Sequence, residues 1–148
     1  MITKINKLLF IITDLGSFNN FLSELTYKML NDKKYEIHLI CSNNKIIKNE
    51  SKFVFNNKLI KIHFVDIPRS FNLFKQISSS YRINKIIKEI NPIITHIHFT
   101  TAIFTSLILH SKRTNNTLIG TFHGLNSVSS SGFKKFIYKL IENYCFLK

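Results

Sequence analysis

Three histidines, His96, His98 and His123, carry most of the chemistry this sequence can offer, because imidazole donates, accepts and titrates near neutral pH. His98 closes the run Ile-Ile-Thr-His-Ile-His and is followed by Phe99, Thr100 and Thr101. His123 closes Leu-Ile-Gly-Thr-Phe-His and is followed by Gly124. An imidazole among hydroxyls, with a glycine leaving room for approach, suits hydrogen bonding to a ligand's hydroxyl or phosphate groups. A third stretch, Asp14-Leu15-Gly16-Ser17, ends the first apolar run in a similar way. Gly16 either approaches a ligand with bare backbone or only supplies a turn with positive φ, and both readings stay open here.

Other chemistries fit less well. His96-x-His98 sets two imidazoles on one face of a strand, as a metal site would, yet no acid or cysteine is placed as a third ligand. No metal is expected. The dinucleotide fingerprint G-x-G-x-x-G is absent. A phosphoacceptor receiver needs clustered acids after its first strand and a lysine after its fifth, whereas this chain offers only Asp14, Asp66 and the pair His123-Gly124. His96 reads as packing inside its strand, as do His38 and His63, and His110 lies on a helix and is uninformative. His123 is the residue expected to work on a ligand.

Positioning these residues requires strands that end at one edge. Lys7–Thr13 is a continuous apolar run, as in a strand buried on both faces of a parallel sheet. Phe18–Leu30 follows at helical spacing, with Phe18, Phe21, Leu22, Leu25, Met29 and Leu30 inward and Ser17 as N-cap. Tyr35–Ile40 is the second strand, 43–57 a loop rich in Asn and Lys, and 59–65 the third strand. A helix over 71–90, with Phe74, Ile77, Tyr81, Ile86, Ile87 and Ile90 inside, stops at Asn91-Pro92. Then come a strand over Ile93–Phe99, a helix over 102–112, a strand over Thr117–Phe122 and a helix over Phe133–Leu147. Phe133, Phe136, Ile137, Leu140, Ile141 and Tyr144 make the apolar face of that last helix, with Lys134, Lys135, Lys139 and Glu142 on others.

Strands alternating with helices imply right-handed crossovers and one α/β domain over residues 1–148, a doubly wound parallel sheet of Rossmann-like type. In the common order, strands 1, 4 and 5 lie side by side. The loops at 14–18, 98–101 and 123–126 then face one crevice.

Composition narrows the class further. The net charge of +13 attracts phosphates, nucleic acid or anionic lipid, although abundant Lys, Asn, Ile and Phe also suggest plain compositional bias. No basic run is dense enough for a nucleic-acid arm, and nucleic acid is not expected as a partner. Cys41 and Cys145, far apart in the sequence, make neither a disulfide framework nor a metal site, and read as small buried hydrophobes. With no signal peptide and no run of the ~20 apolar residues that a spanning helix needs, the chain reads as cytoplasmic.

Several segments carry a family resemblance. Lys-Leu-Leu-Phe-Ile-Ile-Thr-Asp, then Phe-Leu-Ser-Glu-Leu-Thr-Tyr-Lys-Met-Leu and Tyr-Glu-Ile-His-Leu-Ile-Cys, resemble the opening of family 4 glycosyltransferases. Ile-Asn-Pro-Ile-Ile-Thr-His-Ile-His and Gly-Thr-Phe-His-Gly-Leu resemble that family's Pro-(Asp)-hydrophobic-His-x-His and Thr-x-His-Gly segments. The resemblance runs in order over nearly the whole chain. It implies the N-terminal, acceptor-side half of the two-domain GT-B architecture, and a nucleotide-sugar co-substrate rather than a bound cofactor or metal. It further implies transfer with retention to a glycan or polyprenyl-linked acceptor, as in surface polysaccharide, lipopolysaccharide or lipid-linked oligosaccharide assembly.

By the same resemblance, His123 contacts the transferred sugar near the reacting carbon. His98 and Thr100 line the acceptor side. The loop of Gly16 and Ser17 approaches the donor diphosphate or the acceptor, and Gly124 admits the ligand. The Glu-x7-Glu segment and diphosphate-gripping basic residues of the family's C-terminal half do not occur here. The chain then reads as a fragment, a truncated product or a subunit of a split transferase, inactive alone. The competing reading is a non-catalytic module that binds an acceptor or a partner subunit. A basic surface and the lysine-flanked helix 133–148 suit peripheral contact with the inner face of a membrane, although packing on the sheet is the plainer expectation for that helix.

Overall fold

In the computed structural model, residues 5–32, 34–43, 60–69, 72–110 and 116–148 are described below. Five strands form one parallel sheet: β1 (Asn6–Asp14), β2 (Tyr35–Ser42), β3 (Ile60–Phe64), β4 (Ile94–His98) and β5 (Thr117–Thr121). Their order is β3-β2-β1-β4-β5, with every neighbouring pair parallel. Among the described residues, five helices connect or flank them: α1 (Leu15–Phe21), α2 (Ser23–Asn31), α3 (Leu73–Ile90), α4 (Thr100–Leu107) and α5 (Gly132–Phe146). This is the doubly wound order expected from the sequence. The expected loop over 43–57 falls almost wholly outside the described residues.

β1 is buried on both faces, and its period of two splits the core. Leu9 and Ile11 face α3, α4 and α5 through Ile83, Ile87, Ile103, Leu107 and Cys145. Phe10 and Ile12 face α1 and α2 through Leu15, Phe18, Leu22 and Leu30. Gly120 in β5 has a specific packing reason: a Cβ there would meet Ile103 Cδ1 at 3.3 Å, so the glycine lets α4 lie close to the strand. Cys41 and Cys145 are buried free thiols, and burial pushes each up to about 12, so both stay protonated and inert.

The first helix differs from the sequence expectation. It starts at once after the strand, because Asp14 rather than Ser17 is the N-cap: Asp14 Oδ1 accepts the Ser17 N–H at 2.9 Å. It also breaks at Leu22, whose backbone leaves helical geometry while its side chain is buried. The buried line is Leu15, Phe18, Leu22, Thr26 and Leu30, and Phe21 and Leu25 turn outward instead of inward.

α3 packs Ile86, Ile87 and Ile90 against the core as expected, but its first half departs from expectation. Phe74, Ile77 and Tyr81 are exposed, while Gln76, Ser80 and Asn84 face α4. The polar groups satisfy one another: Asn84 Nδ2 donates to Ser106 O at 3.0 Å, Leu109 N–H to Ser80 Oγ at 3.1 Å, and Thr105 Oγ1 to Gln76 Oε1. This hydrogen-bonded interface with α4 stands beside the apolar one that Ile83, Ile87 and Ile90 make with the sheet. Asn72 caps the start by accepting Lys75 N–H, and Asn91 ends the helix in the left-handed region at φ 49°.

α5 splits its apolar residues between two sides. Ile141, Tyr144 and Cys145 pack on the core, while Phe133, Phe136 and Leu140 point outward. Glu142, expected on a solvated face, is 3% exposed. Its carboxylate accepts both the backbone N–H of Ser127, at 3.1 Å, and the Ser127 hydroxyl. Glu142 thereby ties the loop after β5 to the last helix. Glu142→Ala leaves a buried N–H unpaired and is expected to cost about 2 kcal/mol, read as a lower unfolding midpoint. Faster amide exchange at Ser127 than at β1 residues checks that the loss is local.

Candidate functional site

The strand order brings the ends of β1, β4 and β5 to one cleft of about 290 Å³. Thr13 and Ser17 supply one side, Phe99, Thr100 and Thr101 the centre, and His123, Gly124 and Asn126 the other. Tyr138 of α5 also reaches it. Of the residues singled out in the sequence, Ser17, Thr100, His123 and Gly124 lie on this surface. Gly16 and His98 do not.

Gly16 sits in the first turn of α1 with no loop around it, and among the described residues the glycines with positive φ are Gly124 and Gly132. The positive-φ turn does not form, because the helix is capped by Asp14, three residues before Ser17. Gly124 has φ 103° and no atom within 4 Å of where a Cβ would stand. Backbone conformation, rather than lack of space, is what demands glycine there.

His98 is 3% exposed and lies behind His123. Its Nδ1 is 3.0 Å from His123 Nε2, and the two rings stack with centroids 5.3 Å apart. The register explains the pairing: His98 is opposite Thr121, so His123, two residues on, shares its face of the sheet. His96 lies on that face too, with Nε2 2.7 Å from Thr121 Oγ1 and its ring centroid 4.1 Å from that of His98. Burial, with His96 and His123 close by, pushes His98 down to about 4. Burial chiefly lowers His96 as well. At neutral pH the buried imidazoles are uncharged.

Aromatic walls fix the His123 ring. Phe21 and Phe99 stand 4.4 and 4.6 Å away by centroid. Phe99 is itself held in an unusual conformation, φ 73° and ψ 142°, a region nearly restricted to glycine and costing about 1–3 kcal/mol. A hydrogen bond from Phe99 N–H to Thr121 O (3.0 Å) and edge contact with Phe21 hold it there. The twist places Phe99 at the cleft centre and starts α4 without a side-chain cap.

Arg69 is the main residue that sequence reasoning missed. It follows β3, two strands from the centre, yet its guanidinium reaches the cleft and pairs with Asp14. Burial acts to raise the Asp14 carboxyl, but the Ser17 N–H bond, Arg69 and two hydroxyl bonds outweigh it, and the net direction is down. No local pattern in Ile-Pro-Arg-Ser marks Arg69. A buried aspartate lacking a cation nearby in sequence is the one signal that could have prompted a search for it.

His38 and His63 form a separate pair on β2 and β3, Nδ1 to Nε2 at 3.0 Å, with Glu36 on the far nitrogen of His38. They do not line the cleft. Among the described residues no group of three or more His, Cys, Asp or Glu is placed to hold a metal ion.

Known structures share this fold. One is a protein of Listeria monocytogenes assigned as a UDP-N-acetylglucosamine 2-epimerase, with a TM-score of 0.60, 16% identity, and coverage of 96% of this chain and 38% of that one. Another is Phytolacca americana UGT2, complexed with UDP-2-fluoro-glucose and pterostilbene, with a TM-score of 0.55, 8% identity, and coverage of 82% and 31%. The chain thus spans about a third of the length of each, 38% of the first and 31% of the second. No curated protein sequence matches it. A sequence model described as "Glycosyl transferase 4-like" matches residues 7–147. With that match over nearly its whole length, on a Rossmann-like parallel sheet, the chain belongs to the glycosyl transferase 4-like family.

Proposed function

We propose that this chain forms the acceptor-side wall of a glycosyltransferase site that moves a sugar, with retention, from a nucleotide-sugar donor to a glycan or polyprenyl-linked acceptor. One observation carries the reading: the loops after β1, β4 and β5 converge on one cleft in which His123 is held by His98, Phe21 and Phe99. The lining suits a sugar. Thr13, Ser17, Thr100 and Thr101 offer hydroxyls, Asn126 an amide, and Phe99 an apolar face for a pyranose ring. Arg69, oriented by Asp14, and the uncapped first turn of α4 offer positive potential to a developing or resident anion. Such preorganised groups act by placing the reacting atoms and stabilising charge at the leaving diphosphate.

A site of this kind is shared between two halves. The 148-residue chain alone is expected to show no transfer from any nucleotide sugar, and adding a donor-binding half carrying the Glu-x7-Glu segment should restore it. Turnover by this chain alone would overturn the shared-site reading.

The acceptor's carrier is proposed to be an anionic membrane. Phe133, Phe136 and Leu140 project outward from α5 beside Lys134, Lys135 and Lys139, an apolar stripe edged by cations. Among the described residues no helix is long and apolar enough to cross a membrane, so contact would be peripheral. Vesicles containing anionic lipid should sediment the protein, and salt should release it. Equal sedimentation with neutral vesicles would sink the electrostatic part of this reading.

A further inference from the structure

We infer that His98 is a positioning residue that locks His123 in the tautomer protonated on Nδ1, so that His123 presents a hydrogen-bond donor to whatever occupies the cleft. The clause about the occupant rests on the glycosyltransferase reading; the protonation state of His123 does not.

One ring nitrogen of His98 is buried and unpaired. His98 is 3% exposed, its Nδ1 is 3.0 Å from His123 Nε2, and its Nε2 is buried with no hydrogen-bond partner. A neutral imidazole has one N–H and one lone pair. If His98 carried its proton on Nε2, that N–H would be buried and orphaned, which folded proteins rarely tolerate. A bare acceptor left without a donor is the lesser cost. The proton therefore sits on His98 Nδ1, which donates to His123 Nε2. Two neighbouring imidazoles and the Phe10 ring surround His98, and burial keeps it uncharged at neutral pH.

His123 has no second choice. Its Nε2 lone pair is committed to accepting from His98, so its own proton is on Nδ1. Free histidine favours the opposite tautomer, with the proton on Nε2. The β4–β5 register, which sets His98 two residues behind His123 on one face, is thus what selects the less common form. Phe21 and Phe99 keep the ring from rotating out of that bond.

Long-range nitrogen–proton NMR on the uniformly labelled 148-residue chain reads tautomers directly. At pH 7.5 the wild type should show His123 protonated on Nδ1. His98→Phe keeps a ring of similar shape but deletes the donor, and should shift His123 toward the Nε2-protonated form. His98→Asn, whose amide nitrogen occupies nearly the position of imidazole Nδ1, should retain the wild-type state. A wild-type His123 protonated on Nε2 overturns the inference with no variant needed. So does an unchanged tautomer in a folded His98→Phe protein. In a transferase completed with a donor-binding half, His98→Phe should lower kcat roughly 10-fold, as expected for a positioned hydrogen bond, with KM little changed. A complete enzyme that transfers no sugar would remove the functional reading while leaving the tautomer result standing.

Discussion

His123→Ala, in a transferase completed with a donor-binding half, is expected to lower kcat/KM by about 10²- to 10³-fold, the usual loss when one preorganised donor at a reacting centre is removed. His38→Ala serves as the matched comparison. Both residues pair with another histidine across neighbouring strands at 3.0 Å, so both substitutions break a similar contact. Only His123 faces the cleft. If His123 acts on the substrate, its loss should exceed that of His38→Ala by at least tenfold once both variants are shown to be folded. Equal losses would make His123 a packing residue and leave the site to Arg69, Ser17 and the threonines.

Acidification from pH 7 to pH 5 is expected to destabilise the fold by at least about 2 kcal/mol, mainly through buried histidines. Burial lowers His98, His96, His63, His38 and His110 below the ordinary imidazole value of 6.5, His98 to about 4. Above pH 6.5 such a histidine is neutral folded and unfolded, and pH has no leverage on it. Below 6.5 the unfolded chain takes up a proton that the native site refuses, so stability falls with falling pH until the folded value is reached. The limiting slope is about 1.4 kcal/mol per pH unit for each group, which gives His98 alone about 2 kcal/mol between pH 6.5 and 5. Asp14, lowered in the fold, adds a further loss only as pH falls toward and below the ordinary carboxyl value of 3.8. Urea unfolding at the two pH values measures the effect, and His98→Asn should flatten part of it. An unfolding free energy equal at pH 7 and 5 would show that these imidazoles protonate freely in the native state.

Much of the fold was legible in the sequence because burial imposes a local period. The apolar run of β1, the helical spacing before Asn91-Pro92 and the runs ending at His98 and His123 each declare an element within a few residues. Their alternation then limits the topology to a doubly wound sheet. The first helix was misread because its cap is a tertiary-looking device in a local disguise: Asp14 ends the strand and starts the helix at the same residue. In α3 only Phe74, Ile77 and Tyr81 depart from the periodic expectation, for a different reason. Gln76, Ser80 and Asn84 are buried against polar partners on α4, a pairing that hydrophobic periodicity cannot anticipate.

The site divides along the same line. The sequence by itself determined where the polar strand ends fall, and so which loops carry Ser17, Thr100, His123 and Gly124; local patterning suffices for that, since a strand's end is written in its own residues. Only the tertiary structure decided which side chains meet. Arg69 pairs with Asp14 across 55 positions, His98 with His123 across 25, and Glu142 holds Ser127 across 15. Bonds over such separations depend on strand register and helix rotation, which arise from packing the whole core, and no run of neighbouring residues encodes them. That is why His98 appeared as a ligand contact in the sequence and is, in the fold, the residue behind the one that touches the cleft.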